Sequence, residues 1–310
     1  MQMASSMGPN QQTQPHGGLH SGMHWSLFLS TLLLFVSCGA DQPSPSHEPD
    51  PAMPLGLSGA KGTLFVIGGG SRPLSLMDGV VRRMSSKQDL VIVLPMASSE
   101  PDTSAFYGER PFLELGCTDV HTLHLQKPGW GEAQLDSIRN AGALYLCGGD
   151  QARFMKVANG AIAAAIRDAY LRGCIVSGSS AGAAMMSSVM ITGDQNFEPE
   201  YERTYARIEA GNGIYERGLG LIPHAIIDQH FVERSRYNRA FSALHDHPGM
   251  PVYGIGESTA LVVEPEGISV EGEGQVVVFR ANPGRADSLG RIGFSNVELD
   301  ILLPGERCPV

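Results

Sequence analysis

The sequence lacks an excess of basic residues, and its apolar runs are short. Its 310 residues hold 22 lysines and arginines against 32 aspartates and glutamates, for a formal net charge of −10. Nucleic-acid-binding proteins usually carry a basic face, so we expect no nucleic-acid partner. The apolar stretch from Trp25 to Val36 has only a dozen residues. It is too short to span a bilayer comfortably but is typical of the core of a signal peptide.

Cysteine is scarce, and its spacing is not that of a metal site. After Cys38 no CxxC pair occurs. We therefore expect neither a metal nor a cofactor. Cys147 ends an apolar run and Cys174 begins one, as buried structural residues do. A disulfide is the alternative, because an exported chain enters an oxidising compartment. The four cysteines concerned are Cys117, Cys147, Cys174 and Cys308.

The segment around Cys38 resembles a bacterial lipoprotein signal. Cys38 lies between Ser37 and Gly39 at the end of the apolar stretch, and a proline-rich segment follows. Cleavage there would leave a lipidated Cys38 that attaches the protein to a membrane. An ordinary cleaved signal with an incidental cysteine is the alternative. Translation from Met23 is a further open point.

The N-terminal features predict three parts of the chain. Residues 1–38 form an export signal, residues 39–61 a Pro-rich tether, and residues 62–310 the folded domain. The mature protein is thus expected outside the cytoplasm, either anchored to a membrane or secreted.

From Gly62 onward, short β-branched runs alternate with segments of helical periodicity. The clearest helix extends from Asn159 to Arg172, where apolar residues recur every four positions. Such alternation predicts an α/β fold, doubly wound, with a mostly parallel sheet. The segment from Ala260 to Phe279 is typical of hairpins and predicts a short antiparallel C-terminal extension. The predicted parallel strands lie in TLFVIGGG, DLVIVLP, VHTLHL, ALYLCGG and CIVSGSS.

Ser180 stands in a G-x-S-x-G pattern between a predicted strand and an Ala/Met-rich helix. This is the setting of a nucleophile elbow, where the chain turns so sharply that bulky neighbours would clash. The N–H groups at the start of the following helix favour negative charge on the attacking oxygen. A Gly-rich strand–helix turn without catalytic function is the alternative interpretation.

A serine nucleophile needs a base, and His230 is the best-placed candidate. It follows an apolar strand in Asp228-Gln229-His230, so its side chain should reach the crevice at the strand ends. His224, His245 and His247 are poorer candidates. A histidine at a strand end is also common as a structural residue.

Several ordered motifs together resemble the cyanophycinase branch of the serine peptidases, a family that also includes aspartyl dipeptidases. The resemblance extends from Gly62 to about Val263 and implies a fold like that of class I glutamine amidotransferases. The motifs are GTLFVIGGG, VLPMASS, LYLCGGDQ, VSGSSAGAAMM, GLGLIPHAIIDQHFVERSRYNR and YGIGESTALVV.

The resemblance implies a catalytic set. Ser180 would be the nucleophile, His230 its general base and later acid, and Glu257 the carboxylate that orients the imidazole. Backbone N–H groups of Gly149 and Ala181 would form the oxyanion hole. Asp194 is the alternative carboxylate, because in the dipeptidase branch the acid lies shortly after the nucleophile. We favour Glu257, since the GIGESTA motif is intact around it.

The resemblance also implies a substrate pocket lined by Gln151, Gln229, Arg236 and Arg239, with the arginines binding substrate carboxylates. Arg236 and Arg239 are three residues apart and can share one helix face, whereas Arg234 would point elsewhere.

Two further features bear on the substrate. Gly256 departs from the family's pattern, which has Asp before the glutamate. An acidic segment near the elbow helix would bind a guanidinium or else be solvated, and its carboxylates are Glu198, Glu200 and Glu202.

Three functions remain open at this point. The first is a cyanophycinase-like exopeptidase that releases β-Asp-Arg dipeptides, and the second is a related peptidase acting on aspartyl or isoaspartyl peptides. The third is a catalytically silent surface binding protein. The expected partners are an Asp-containing peptide substrate, a membrane through Cys38, and a second copy in a homodimer.

Overall fold

The computed structural model describes residues 54–158, 160–198, 200 and 204–308. Contacts divide the chain into residues 1–48 and 49–310, and every described residue belongs to the second unit. The predicted export signal and Cys38 therefore lie outside the described residues. Within the described ranges, no helix has the length and apolar character needed to cross a membrane.

Sixteen strands and seven helices make up the described part of the chain. The helices are α1 (Leu74–Val81), α2 (Pro101–Glu114), α3 (Glu132–Arg139), α4 (Gln151–Val157), α5 (Ala161–Arg172), α6 (Ala181–Ala184) and α7 (Tyr237–Asp246). The first eight strands are β1 (Thr63–Ile67), β2 (Val91–Leu94), β3 (Val120–Thr122), β4 (Ala143–Leu146), β5 (Ile175–Ser179), β6 (Val189–Gln195), β7 (Gly213–Arg217) and β8 (Ile226–Gln229). The remaining eight are β9 (Val252–Ile255), β10 (Thr259–Glu264), β11 (Gly267–Gly272), β12 (Val276–Ala281), β13 (Arg285–Ala286), β14 (Ile292–Gly293), β15 (Val297–Leu302) and β16 (Arg307–Cys308).

The main sheet confirms the predicted α/β fold. Its strand order is β16-β11-β10-β1-β5-β4-β2-β3. The five strands from β1 to β3 in this order are parallel, while β10, β11 and β16 form the antiparallel edge. Because parallel strands end at one edge of a sheet, the loops after β1, β4 and β5 are brought together.

Alternate residues of the central strands enter two separate cores, which is why these strands are continuously apolar. Leu64 and Val66 of β1 pack in the core that includes α3 and α5. Phe65 and Ile67 pack on the opposite face, in the core that includes α1 and α2. The sheet is therefore covered by helices on both faces, as the sequence predicts.

A second sheet, of order β15-β12-β9-β8, carries the strand that precedes His230. Here β8 pairs with β9 in parallel, and β12 pairs with β9 and β15 in antiparallel fashion. The predicted C-terminal hairpin is therefore β10–β11, and β12 leaves it for the second sheet. The His230 N–H donates to the Gly68 carbonyl at 2.7 Å, which joins the end of β8 to the end of β1.

The last residues of the predicted tether contact the folded domain. Leu55 is only 5% exposed, and the Lys61 N–H donates to the carbonyl of Leu171. Residues 55–61 thus pack on the domain, because Leu55 gains burial beside Tyr170 and the other apolar core residues. The boundary at residue 62 stays a prediction.

The turn around Ser180 explains the glycines of the G-x-S-x-G pattern. A Cβ added to Gly182 would lie 2.1 Å from the Leu146 carbonyl oxygen, and one added to Gly178 would lie 2.5 Å from the Gly182 oxygen. Real Cβ atoms do not approach backbone so closely, so both positions require glycine. The two glycines let α6 begin directly against β4 and β5, which leaves Ser180 at the tip of the turn.

Candidate active site

Ser180, His230 and Glu257 form a continuous hydrogen-bonded chain. The Ser180 Oγ lies 2.8 Å from His230 Nε2, and His230 Nδ1 lies 2.5 Å from Glu257 Oε1. The three residues follow β5, β8 and β9 respectively. The junction between the two sheets therefore brings together residues that are far apart in the sequence.

The partners of His230 determine which of its nitrogens carries the proton. An ionised carboxylate can only accept hydrogen bonds, so Nδ1 is the N–H that donates to Glu257. The other nitrogen, Nε2, then has a free lone pair and accepts from the Ser180 hydroxyl. This is the tautomer in which a histidine can remove the serine proton.

Two glycines after β1 make room for the histidine and the glutamate. A Cβ on Gly69 would lie 2.3 Å from His230 Cε1, and a Cβ on Gly70 would lie 2.6 Å from Glu257 Cβ. Both glycines also have positive φ angles. The glycine run of the GTLFVIGGG motif thus provides a flat surface against which His230 and Glu257 pack.

Backbone strain is concentrated at this site. Within the described ranges, four non-glycine residues have positive φ: Ser180, His230, Ser235 and Ser258. Ser180 and His230 belong to the hydrogen-bonded chain, and Ser258 directly follows Glu257. Such conformations cost about 1–3 kcal/mol each and persist where the surroundings enforce them, as they do in active sites.

Burial keeps His230 neutral at physiological pH. Desolvation lowers the pKa of His230 below its ordinary value and is the largest influence. The hydrogen bond to Glu257 raises the pKa, whereas the positive charge of Arg234 lowers it. The imidazole is therefore present as a base and not as its conjugate acid near pH 7.

The pH dependence of activity should follow this shift. We expect kcat/KM to rise with pH and level off, with its midpoint below pH 6.5, because only neutral His230 accepts the serine proton. Arg234→Gln removes a charge that lowers the pKa, so it should move the midpoint to higher pH. A pH–rate profile measures both; a wild-type midpoint above 6.5 would contradict this picture.

The backbone amides predicted for an oxyanion hole lie beside Ser180. Ala181 begins α6, so its N–H has no partner within the helix. A Cβ on Gly148 would lie 3.5 Å from Ser180 Cβ, which places the Gly148–Gly149 loop next to the nucleophile. Gly149 has a φ of 141°, and a Cβ there would meet the Ala97 carbonyl oxygen at 2.3 Å. Only glycine fits at position 149.

Ser180 opens onto a polar cavity of about 310 Å³. This volume is at the lower end of the range for small-molecule sites. The predicted pocket residues Gln151, Gln229, Arg236 and Arg239 all line it. The full lining is Gly149, Asp150, Gln151, Ser180, Thr192, Gly193, Asp194, Gln229, Arg234, Arg236 and Arg239.

The cavity differs from expectation in two respects. Arg234 lines it together with Arg236 and Arg239, so the prediction that Arg234 points elsewhere is wrong. The reason is that the chain makes a tight turn at Ser235, with a φ of 49°, before α7 begins. Helical spacing from Arg236 therefore does not apply to Arg234.

The second difference is a wall formed by Thr192, Gly193 and Asp194 of β6, of which only Asp194 was a candidate from the sequence. No local motif marks these residues; the β6–β7 hairpin brings them over the cavity. Asp194 thus lies near the nucleophile, but the carboxylate that contacts His230 is that of Glu257.

Arg236 and Arg239 are buried and share one carboxylate. Each is 2% exposed and Asp228 is 1% exposed. Arg239 binds Asp228 through two nitrogens, with Nε 2.8 Å from Oδ2, and Arg236 Nη1 lies 3.4 Å from Oδ1. A buried carboxylate needs such partners because desolvating it alone is costly. The arginines therefore hold the structure together besides facing the cavity.

Loss of Arg239 should accordingly destabilise the fold. Arg239→Met leaves Asp228 buried without its bidentate partner, and we expect a loss of about 3–5 kcal/mol in unfolding free energy. Arg280 is a matched control, because its pair with Asp300 is 42% and 48% exposed. Arg280→Met should cost about 1 kcal/mol or less. Urea denaturation measures both; equal losses would show that the Asp228 cluster adds nothing special.

The acidic segment after β6 is only partly described. Glu198 lies 3.6 Å from Arg207, so it has a cationic partner within the chain. Glu200 is exposed, and Glu202 lies outside the described residues. Gly256, the departure from the family pattern, does not line the cavity; a Cβ there would lie 3.2 Å from the Gln275 carbonyl oxygen.

The site has a serine on a strand–helix turn, and this serine is hydrogen-bonded to a histidine that a carboxylate orients. This is the arrangement of a serine hydrolase. The comparisons with known proteins agree with this class. The chain matches the model of peptidase family S51 over residues 64–270 and belongs to that family, which makes it a serine-type peptidase.

Related proteins are similar over most of the chain. A cyanophycinase from Geminocystis herdmanii is 31% identical over 70% of this chain and 81% of its own length. A cyanophycinase from Trichormus variabilis is 30% identical over 80% of this chain and 85% of its own. The crystal structure of a peptidase from an acI-B1 Actinobacterium has a TM-score of 0.60 at 20% identity, covering 81% of this chain and 98% of that one. This structural likeness confirms the fold.

Proposed function

We propose that this peptidase degrades cyanophycin, the polymer of aspartate with arginine on each β-carboxylate, and releases β-Asp-Arg dipeptides from its end. The observation that carries the proposal is the hydrogen-bonded triad of Ser180, His230 and Glu257, which lies beside a small polar cavity lined by three arginines. The cyanophycinase relatives support the substrate. The small cavity favours binding of a chain end over a long internal segment.

The proposed reaction uses each group in turn. The Ser180 Oγ attacks the scissile carbonyl carbon while His230 Nε2 takes its proton. The developing oxyanion accepts hydrogen bonds from the N–H groups of Gly149 and Ala181. His230 then gives the proton to the leaving amine. Water, activated by the same nitrogen, hydrolyses the acyl-enzyme and restores the Ser180 hydroxyl.

A peptidase that acts on aspartyl or isoaspartyl dipeptides is the second candidate, and the same machinery would serve it. The test is to incubate the full chain with cyanophycin and with a panel of both dipeptide types, using Ser180→Ala as the control. Release of β-Asp-Arg from the polymer supports the first candidate. Turnover of dipeptides alone supports the second, and turnover of neither contradicts both.

We also propose that the chain is exported and lipidated at Cys38, on the pattern of small residues after its apolar stretch. In cells that express the full chain, we expect a product that lacks the residues before Cys38 and partitions with membranes. Cys38→Ala should remain unprocessed by this route or become soluble. Mass spectrometry that finds an intact Met1 or Met23 in the cytoplasmic fraction would contradict the proposal.

Self-association as a homodimer stays a prediction. Helix α2 exposes three large apolar side chains, Phe106, Tyr107 and Leu113, each more than half exposed. Light scattering of the purified chain measures its mass in solution and decides between one copy and two.

A further inference from the structure

Gln151 is held in one orientation by acceptors on the β6 hairpin. Its Nε2 donates to the carbonyl oxygens of Ile191 and Thr192, both at 2.7 Å. Carbonyl oxygens can only accept, so the amide nitrogen must face them and both of its hydrogens are used. The amide oxygen, Oε1, is therefore the atom that Gln151 offers to the cavity it lines.

Gln229 is held in the opposite sense. Its Oε1 accepts a hydrogen bond from Arg236 Nη1, which also donates to the Gln229 main-chain oxygen at 2.6 Å. A guanidinium can only donate, so the amide oxygen must face it. The amide nitrogen, Nε2, is therefore the atom that Gln229 offers to the same cavity.

The buried carboxylate of Asp228 supports the second orientation. It pairs with Arg236 and with Arg239, and its Oδ1 also accepts from the Gln229 N–H at 2.8 Å. Arg236 is thereby fixed where its guanidinium contacts the Gln229 side chain. Flipping that amide would set its NH₂ group against a cation with no acceptor. Asp228 is thus a positioning residue that acts through Arg236.

We propose that the two glutamines recognise oppositely charged groups of the substrate and so fix its orientation in the cavity. This polarity assignment rests on the proposed peptide-cleaving function. Gln229 Nε2 donates to a substrate carboxylate, and Gln151 Oε1 accepts from a substrate ammonium group. Within the described ranges, neither atom has a hydrogen-bond partner in the protein. The protein charges agree with this arrangement. The positive Arg236 contacts Gln229, on the side proposed for the substrate carboxylate. Asp150 precedes Gln151, and Asp194 follows the Thr192–Gly193 segment beside Gln151, on the side proposed for the substrate ammonium group.

The donor role of Gln229 can be tested by binding without turnover. The probes are β-aspartyl-arginine and its two monoamides, each with one carboxylate replaced by a carboxamide. The protein is the full chain carrying Ser180→Ala, and calorimetry gives the dissociation constants. Adding Gln229→Glu replaces the donor by an acceptor, so the dipeptide should bind about ten- to hundredfold more weakly. One monoamide should recover most of that loss, because a carboxamide donates to the introduced carboxylate.

Gln229→Met is the matched control, since it removes the donor without adding an acceptor. It should weaken binding of the dipeptide, and neither monoamide should recover it. Equal weakening of all three probes by Gln229→Glu would overturn the donor role, as would unchanged binding. A thermal melt of each variant separates these outcomes from unfolding.

The acceptor role of Gln151 has its own probe. Succinyl-arginine is β-aspartyl-arginine without the amino group, and the Ser180→Ala protein should bind it about tenfold or more weakly than the dipeptide. Gln151→Met should remove this preference. A preference that survives Gln151→Met would overturn the acceptor role.

Failure of this inference is distinguishable from failure of the proposed function. If the wild-type chain hydrolyses neither cyanophycin nor dipeptides but the binding pattern holds, the proposed function fails and the polarity assignment stands. If hydrolysis occurs without the pattern, the polarity assignment fails. Absence of binding to every probe also overturns it.

Discussion

Ser180→Ala should reduce peptide hydrolysis by at least about 10⁴-fold, because it removes the atom that forms the acyl-enzyme. The fold should survive the change, since the strained turn is enforced by Gly178, Gly182 and the surrounding strands. The measurement is the single-turnover rate on whichever peptide the wild-type chain cleaves, with a melting curve beside it.

The neighbouring serines provide matched controls. Ser177 Oγ donates to the Leu144 carbonyl at 2.9 Å, away from His230. Ser177→Ala should cost about 1 kcal/mol of stability and leave hydrolysis measurable. Ser179→Ala should likewise remain active. Activity of Ser180→Ala comparable to that of its controls would rule out the serine mechanism.

Glu257→Gln should lower kcat by about 10³–10⁴-fold with little effect on folding. The glutamine can present its NH₂ group to His230 Nδ1, which stabilises the tautomer with the proton on Nε2. That tautomer cannot accept the proton of Ser180. The residual activity should have its acid midpoint at lower pH than the wild type, because Glu257 raises the pKa of His230.

Asp194→Asn distinguishes the two candidate carboxylates. Asp194 lines the cavity but is exposed, and the carboxylate at His230 Nδ1 belongs to Glu257. We therefore expect Asp194→Asn to change KM more than kcat. If Asp194→Asn lost activity by orders of magnitude while Glu257→Gln did not, the assignment of the orienting carboxylate would be wrong.

The fold was predictable because its signals are local. Alternate residues of β1, β2, β4 and β5 are buried in two different cores, so each strand contains a continuous apolar run. Such short apolar runs between helical segments are recognisable as strands in the sequence. The sequence did not reveal that β8 and β9 form a second sheet with β12 and β15. Their apolar pattern is the same as that of main-sheet strands, and pairing partners are set by tertiary contacts.

The site was predictable where a motif fixes the backbone. The strained turn at Ser180 needs the small residues beside it, and the backbone conformation at position 149 needs glycine itself. Such requirements are visible in the sequence as a motif. No comparable motif marks the role of Asp228. Its role depends on burial beside Arg236 and Arg239, which appears only when α7 packs on the end of β8. Contact of the arginines with substrate stays a prediction.

The central claim is that Ser180 is the nucleophile activated by His230. The most direct test is to treat the full chain with a fluorophosphonate, in which attack by the serine oxygen on phosphorus expels fluoride, and to map the adduct by peptide mass spectrometry. We predict a single adduct on Ser180, a rate that falls with the protonation of His230 below pH 6.5, and no adduct in Ser180→Ala. An adduct on another residue, or equal labelling of Ser180→Ala, would contradict the claim.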